Sequence, residues 1–218
     1  MADITLQGLV GQSAPRSDSD GIKADIKLNR RAEVCICDWY TQMALEGRAF
    51  QVKAGTVTAP LVGQVVITDT AAEMCADAST GTTLIPVYAH IAVNLGTGTL
   101  HEYAAKSVGA KSTAGTAFVP LPLYIGGPAS VCAARVAATA GSVTVTAELA
   151  TTTRCHWHVA NPLAVAAGHG FTSHMWQPRT PPPLVGPACF YIQVSATTTG
   201  PSYFASFDYI ELPTVNVE

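Results

Sequence analysis

The sequence predicts an all-β fold: an antiparallel β-sandwich, arranged as a jelly roll of about eight strands, with one short helix near residues 38–47. Three observations predict it. Short runs rich in Val, Ile, Thr and aromatic residues recur between clusters of Gly, Pro, Ser and Asp. Strands do not alternate with helices, as a parallel sheet would require, and no fixed-period repeat marks a propeller or solenoid. A single segment carries helical periodicity.

Residues 1–31 read as an extended N-terminal arm. "GQSAPRSDSDGIK" mixes Pro, Gly and small polar residues without any period that would pack. Residues 32–218 then form one jelly-roll domain. In "AEVCICDW", Val34 and Ile36 face one way and Cys35 and Cys37 the other, which predicts a strand buried on both faces. "DWYTQMALEGRAF" places Trp39, Met43 and Phe50, with Ala44 and Leu45, near a 3.6-residue period, with Asp38 as N-cap and Gly47 to close the helix. Strands are expected in 63–70, 83–93, 99–106, 130–138, 142–149, 155–159, 189–196 and 203–212. "ATAGSVT" reads as a turn, and "SATTTGPSYF" as a hairpin-like connection between the last two strands. "ANPLAVAAGHGFTSHMW" reads as a long loop. In "QPRTPPPLVGP" three consecutive prolines supply no ladder donors, so this is a stiff extended loop.

Composition narrows the function. Apolar residues make up 48% of the chain but charged ones only 12%, about half the usual share. Such a chain covers its exterior with neutral polar groups or with other protein. The net charge of −3 offers no whole-protein attraction to nucleic acid or to an anionic membrane. No apolar run has the length of a membrane span, and "MADITLQGLV" predicts no signal peptide. The six cysteines are expected to be free and mostly buried.

"RCHWHVANPLAVAAGHGFTSHMW" holds four of the six histidines: His156, His158, His169 and His174. On a regular strand His156 and His158 share a face. With His169 or His174 they would make a three-nitrogen site for zinc or iron. Metal-bound imidazoles are usually oriented by a carboxylate or carbonyl, and catalysis needs an acid or base. Between Tyr103 and Phe207 the chain has one carboxylate, Glu148. Side chains for packing are the expected role instead, with Trp157, His169, His174 and Trp176 as candidates for a subunit interface. A pH-sensing cluster is a further reading of the same histidines.

Other motifs are weaker. In "SVGAKST", Ala110 occupies the glycine position of a phosphate loop. "SDSDG" opens like a calcium loop, with Asp18 and Asp20, but lacks the later ligands. Lys23, Lys27, Arg30 and Arg31 are the densest cations and candidates for phosphate contact, yet residues 1–31 balance five Lys/Arg against four Asp/Glu. No serine nucleophile elbow is present, and Cys155 and His156 point to opposite faces of a strand.

The closing stretch "ACFYIQVSATTTGPSYFASFDYIELPTVNVE" alternates Phe190, Ile192 and Val194, turns through Thr, Gly and Pro, and ends in an aromatic strand. With the arm and the few charges, it resembles the single jelly-roll structural proteins of small icosahedral viruses and phages. The resemblance is one of architecture over roughly residues 32–213. It implies a capsid protein that self-assembles in the host cytoplasm into an icosahedral virion shell. The partners would be further copies of itself and, weakly and non-specifically, packaged nucleic acid. No cofactor, metal or catalysis is expected. The nearly neutral arm departs from the strongly basic arms of many such proteins. Two alternatives stand beside it: a trimeric, fibre head-like module binding a receptor or glycan through Trp157, Trp176 and Tyr203, and a histidine-metal enzyme on a β-scaffold.

Overall fold

The computed structural model describes residues 7–9, 23–25, 38–66, 68–94, 100–147, 152–161, 171–198 and 200–217. Along the chain, β1 (Gln7–Leu9) and β2 (Lys23–Asp25) precede helix α1 (Trp39–Leu45). Next come β3 (Ala49–Ala54), β4 (Leu61–Val62), β5 (Ala71–Ala72), β6 (Met74–Ala78), β7 (Thr82–Asn94) and β8 (His101–Val108). An excursion then carries β9 (Thr113–Ala114), β10 (Thr116–Phe118), β11 (Leu121–Pro122), β12 (Ala133–Val136) and β13 (Val143–Thr144). The order closes with β14 (Thr153–Asn161), β15 (Thr172–Trp176), β16 (Leu184–Val185), β17 (Ala188–Ala196), β18 (Ser202–Pro213) and a 3-10 turn, Thr214–Asn216.

The fold is all-β, as the sequence predicts. One sheet runs β11-β3-β18-β7-β15 and the other β10-β12-β6-β17-β8-β14. Their ladders are antiparallel. Period-two alternation builds the core between them. Tyr203, Ala205, Phe207 and Tyr209 of β18 face Phe190, Ile192 and Val194 of β17 in one apolar cluster. The rings of Phe190 and Phe207 meet edge-on, with centroids 5.1 Å apart.

Both outer faces carry a further layer. All nine residues of β17 are buried, because Cys189 and Tyr191 on its other face pack with Ala72, Val108, Ala137, Val143 and Val145. The small sheet β5-β13-β9 belongs to this cover. On the opposite side α1 lays Met43 over Ala49, Ile85, Val87, Ile210 and Leu212. The helix itself follows local rules. Asp38 accepts a hydrogen bond from the Thr41 amide. Gly47 at φ 71° closes it, its N–H donating to Ala44 and that of Arg48 to Met43, the two bonds of a Schellman ending. A Cβ on Gly47 would also sit 2.6 Å from Pro128 Cδ.

Four expectations change. The arm is not wholly irregular, since β1 and β2 pair with Gln7 opposite Asp25. Residues 63–70 are not a strand: Val65 and Val66 are exposed in a bend, and Gln64 makes only an isolated parallel bridge to Ser195. Residues 195–204 are not a hairpin, because β17 and β18 lie in opposite sheets. Residues 172–176, expected in a loop, form the edge strand β15, paired along β7 from Thr172–Val93 to Trp176–Ala89. The strand expected over 32–39, with Cys35 and Cys37, falls almost wholly outside the described residues.

Candidate functional site

The histidine-rich stretch occupies one edge of the sandwich, where β14 ends one sheet and β15 the other. A bulge decides its geometry. β14 sets Cys155 opposite Lys106 and Trp157 opposite Ala105, leaving His156 as the extra residue. An extra residue breaks the alternation of faces. His156 therefore turns inward, with ring centroids 5.9 Å from Trp176 and 6.1 Å from Phe190, and its Nε2 lies 2.8 Å from Ser107 Oγ. His158 turns outward, its Nε2 3.2 Å from Glu102 Oε1. The expectation that His156 and His158 share a face is overturned.

His174 and Trp176 share the inner face of β15. His174 lies 5.0 Å from the Tyr103 ring and 6.2 Å from that of Trp157. Burial lowers the proton affinity of His156, aided by Arg154, and that of His174, aided by His90. Trp176 is 8% exposed and Trp157 packs against the same core, so the protomer's own interior uses both indoles. Trp157 remains half-buried at the sandwich edge, and Tyr203, the third aromatic of the glycan alternative, is fully buried in the core. His169 lies outside the described residues.

A three-histidine metal centre does not fit this placement. Among the described residues, the group of three potential ligands close enough to share an ion is Cys75, Asp77 and Cys189, with no histidine. These three already have protein partners. Asp77 accepts bonds from the Ser112 amide at 2.9 Å and hydroxyl at 2.6 Å, and Cys75 Sγ donates to Ser112 Oγ at 3.1 Å. Burial pushes the Cys189 thiol well up, towards the protonated form that does not ligate. Among the described residues, the carboxylate paired with one of these histidines is Glu102, which lies beside His158 and 3.6 Å from Lys106. It stands one position before the stretch whose lack of carboxylates weighed against catalysis, and strand pairing brings it to His158.

Of the candidate phosphate-binding residues, Lys23 stands in β2 opposite Leu9. Lys27, Arg30 and Arg31, and Asp18 and Asp20 of the calcium-like turn, lie outside the described residues.

No protein-family model matches the chain, and no curated protein matches it in sequence.

Sequence reasoning missed a set of carboxylates that hold the covering layers in place. Glu211 accepts from Ser130 Oγ at 2.6 Å and from the amides of Val131 and Cys132, at 3.1 Å and 3.3 Å. Asp77 fastens Ser112. Glu73 accepts from the Gly141 amide at 3.0 Å and from the Tyr203 hydroxyl at 3.2 Å. Asp208 accepts from Tyr40 of α1 at 3.1 Å and from Gln51 at 2.9 Å. Each ties a surface element to a sheet strand, the work of a buried polar group that is satisfied. The signal was there only as isolated acids within apolar runs: "AAEMCADA", "FDYIELP".

Proposed function

We propose that the chain is a structural protein of a virus or phage, a jelly roll that self-assembles into an icosahedral capsid enclosing the genome. The observation that carries the reading is the order of the eight principal strands. Taken in chain order as β3, β6, β7, β8, β14, β15, β17 and β18, they lie first-eighth-third-sixth in one sheet and second-seventh-fourth-fifth in the other. Two Greek keys wound together give this order, an architecture used by viral shells and by lectins and cupins. Between these uses, the low charge favours a shell. A building block surrounded by copies of itself loses charged surface to its contacts. The clamped helix and excursion supply the rigidity that repeated contacts need. The proposal assigns the chain no catalysis. It includes weak, non-specific contact with packaged nucleic acid through Lys23, Lys27, Arg30 and Arg31, and assembly in the host cytoplasm.

Negative-stain microscopy and sedimentation velocity of the purified chain test the reading. Closed particles or a large discrete oligomer are expected. A monomer that persists across salt and pH refutes it, and a discrete trimer that binds glycans transfers the assignment to the fibre-head alternative.

A further inference from the structure

Beside helix α1, the outer face of β18 and β7 carries a cleft of ≈ 430 Å³, within the range of small-molecule sites. A bulge builds its floor. β18 sets Asp208 opposite Tyr88 and Tyr209 opposite Pro86, leaving Val87 as the extra residue of β7. Val87 and Tyr88 therefore both face outward, where they join the apolar cluster around Met43. Trp39 and Tyr40, at the start of α1, form one wall and pack on that same cluster. The stretch from Gln177 to Pro181 forms another. Trp176, 8% exposed, fixes one end of this stretch in the core, and Pro178 and Pro181 stiffen it.

The polar groups that line the cleft are of both hydrogen-bonding senses. Asp208 only accepts. It takes bonds from the Tyr40 hydroxyl at 3.1 Å and from Gln51 at 2.9 Å, two of the roughly four that a carboxylate can accept. Arg179 only donates, whereas the Gln177 amide and the Tyr88 hydroxyl do both. None of these three side chains has a hydrogen bond or ion pair to another described residue. One positive and one negative group line the cleft, so its formal charge cancels.

We propose that this cleft binds a neutral saccharide, with the C–H face of a pyranose ring on the aromatic wall and its hydroxyls shared among Gln177, Arg179, Tyr88 and Asp208. The argument is one of matched chemistry. A pyranose pairs an apolar face with a rim of hydroxyls that donate and accept alike, and the cleft pairs three aromatic rings with groups of both senses. A phosphodiester offers acceptors alone and meets the Asp208 carboxylate as a like charge. A proline-rich segment offers carbonyl acceptors but few donors, which leaves the free lone pairs of Asp208 unmet. The inference goes beyond the shell reading and does not depend on it. The cleft lies within one protomer, so its occupancy and the chain's oligomeric state are measured separately.

The test is saturation-transfer-difference NMR on the full chain with the methyl glycosides of glucose, galactose, mannose and N-acetylglucosamine. Transfer to the ring C–H protons of at least one glycoside is expected, with a Kd of about 1 mM for so small a ligand. The double variant Gln177→Ala/Arg179→Ala should bind it at least about tenfold more weakly. Tyr88→Phe keeps the ring, loses the hydroxyl and should weaken binding by a smaller factor. These substitutions remove no protein contact of a polar group, so urea midpoints should match the unsubstituted chain and verify folding. Absence of transfer to any of the glycosides overturns the inference, and so does transfer that the double variant keeps in full. Binding of a proline oligomer or of oligothymidylate that the double variant weakens, without any saccharide signal, overturns it in favour of a peptide or a nucleic acid. Particles that assemble without binding sugar leave the shell reading standing and this one refuted.

Discussion

Glu73→Gln should remove a pH dependence built into the fold. Glu73 is fully buried, and the groups facing it are neutral: the Tyr203 hydroxyl from β18, the Gly141 amide from the turn before β13, and Gln64. Burial pushes its carboxyl up from 4.5 to about 7, against the hydrogen bonds that pull it down. The folded state thus binds this proton more tightly than the unfolded chain. Stability from this site is complete below about pH 4.5 and is lost as pH rises through about 7. That interval is worth on the order of 3 kcal/mol. Glutamine stays neutral throughout but gives up part of one hydrogen bond, about 1 kcal/mol. The variant should be roughly 2 kcal/mol more stable than the unsubstituted chain at pH 8, a Tm higher by about 4–8 °C for a chain of this size. At pH 5 it should be equal or slightly worse. Circular-dichroism melts and urea unfolding at half-unit steps from pH 5 to 8 give the comparison. Parallel pH profiles for the two proteins would refute the reasoning, since they would mean that Glu73 does not change its proton affinity on folding.

The inward histidines act in the other direction. His156 and His174 have lowered proton affinity, so the stability they permit is present above about pH 6.5 and lost as pH falls below it; His156→Phe should flatten that acid limb in urea unfolding at pH 5 and 7. Trp176→Ala should cost about 3–5 kcal/mol in the same assay, because the indole stacks on Phe190 with centroids 5.7 Å apart in the core. Asp38→Ala should cost about 1 kcal/mol through the lost N-cap. Metal analysis by mass spectrometry should give the same content for the unsubstituted chain and a His156→Ala/His158→Ala double variant, since the bulge separates the two rings.

What the sequence made legible was local. Helix α1 could be read because Asp38, the apolar spacing and Gly47 all lie within ten residues. Strands β7, β17 and β18 could be read because they are long and rich in β-branched and aromatic residues. Strand β6, "MCADA", has poor intrinsic β-propensity; it is a strand because β12 and β17 pair with it on either side. In β3, "AFQVKA" follows directly on the helical pattern and hides there. The candidate site failed for one residue's worth of geometry. Period two places His156 and His158 together, and the bulge that separates them depends on how β14 meets β8, which no spacing within β14 records.

The scarcity of charge has a structural origin in two parts. Strands such as β17 are buried on both faces, so neither face can carry an uncompensated charge. Glu73, Asp77, Asp208 and Glu211, four of the fifteen acids, are spent inside the fold as clamps for the helix and the excursion. That leaves the solvent-facing surface poorer in acid than the composition suggests. Layering explains both parts without any partner, and it leaves the surface valines Val57, Val62, Val65 and Val66, each more than half exposed, outside its account.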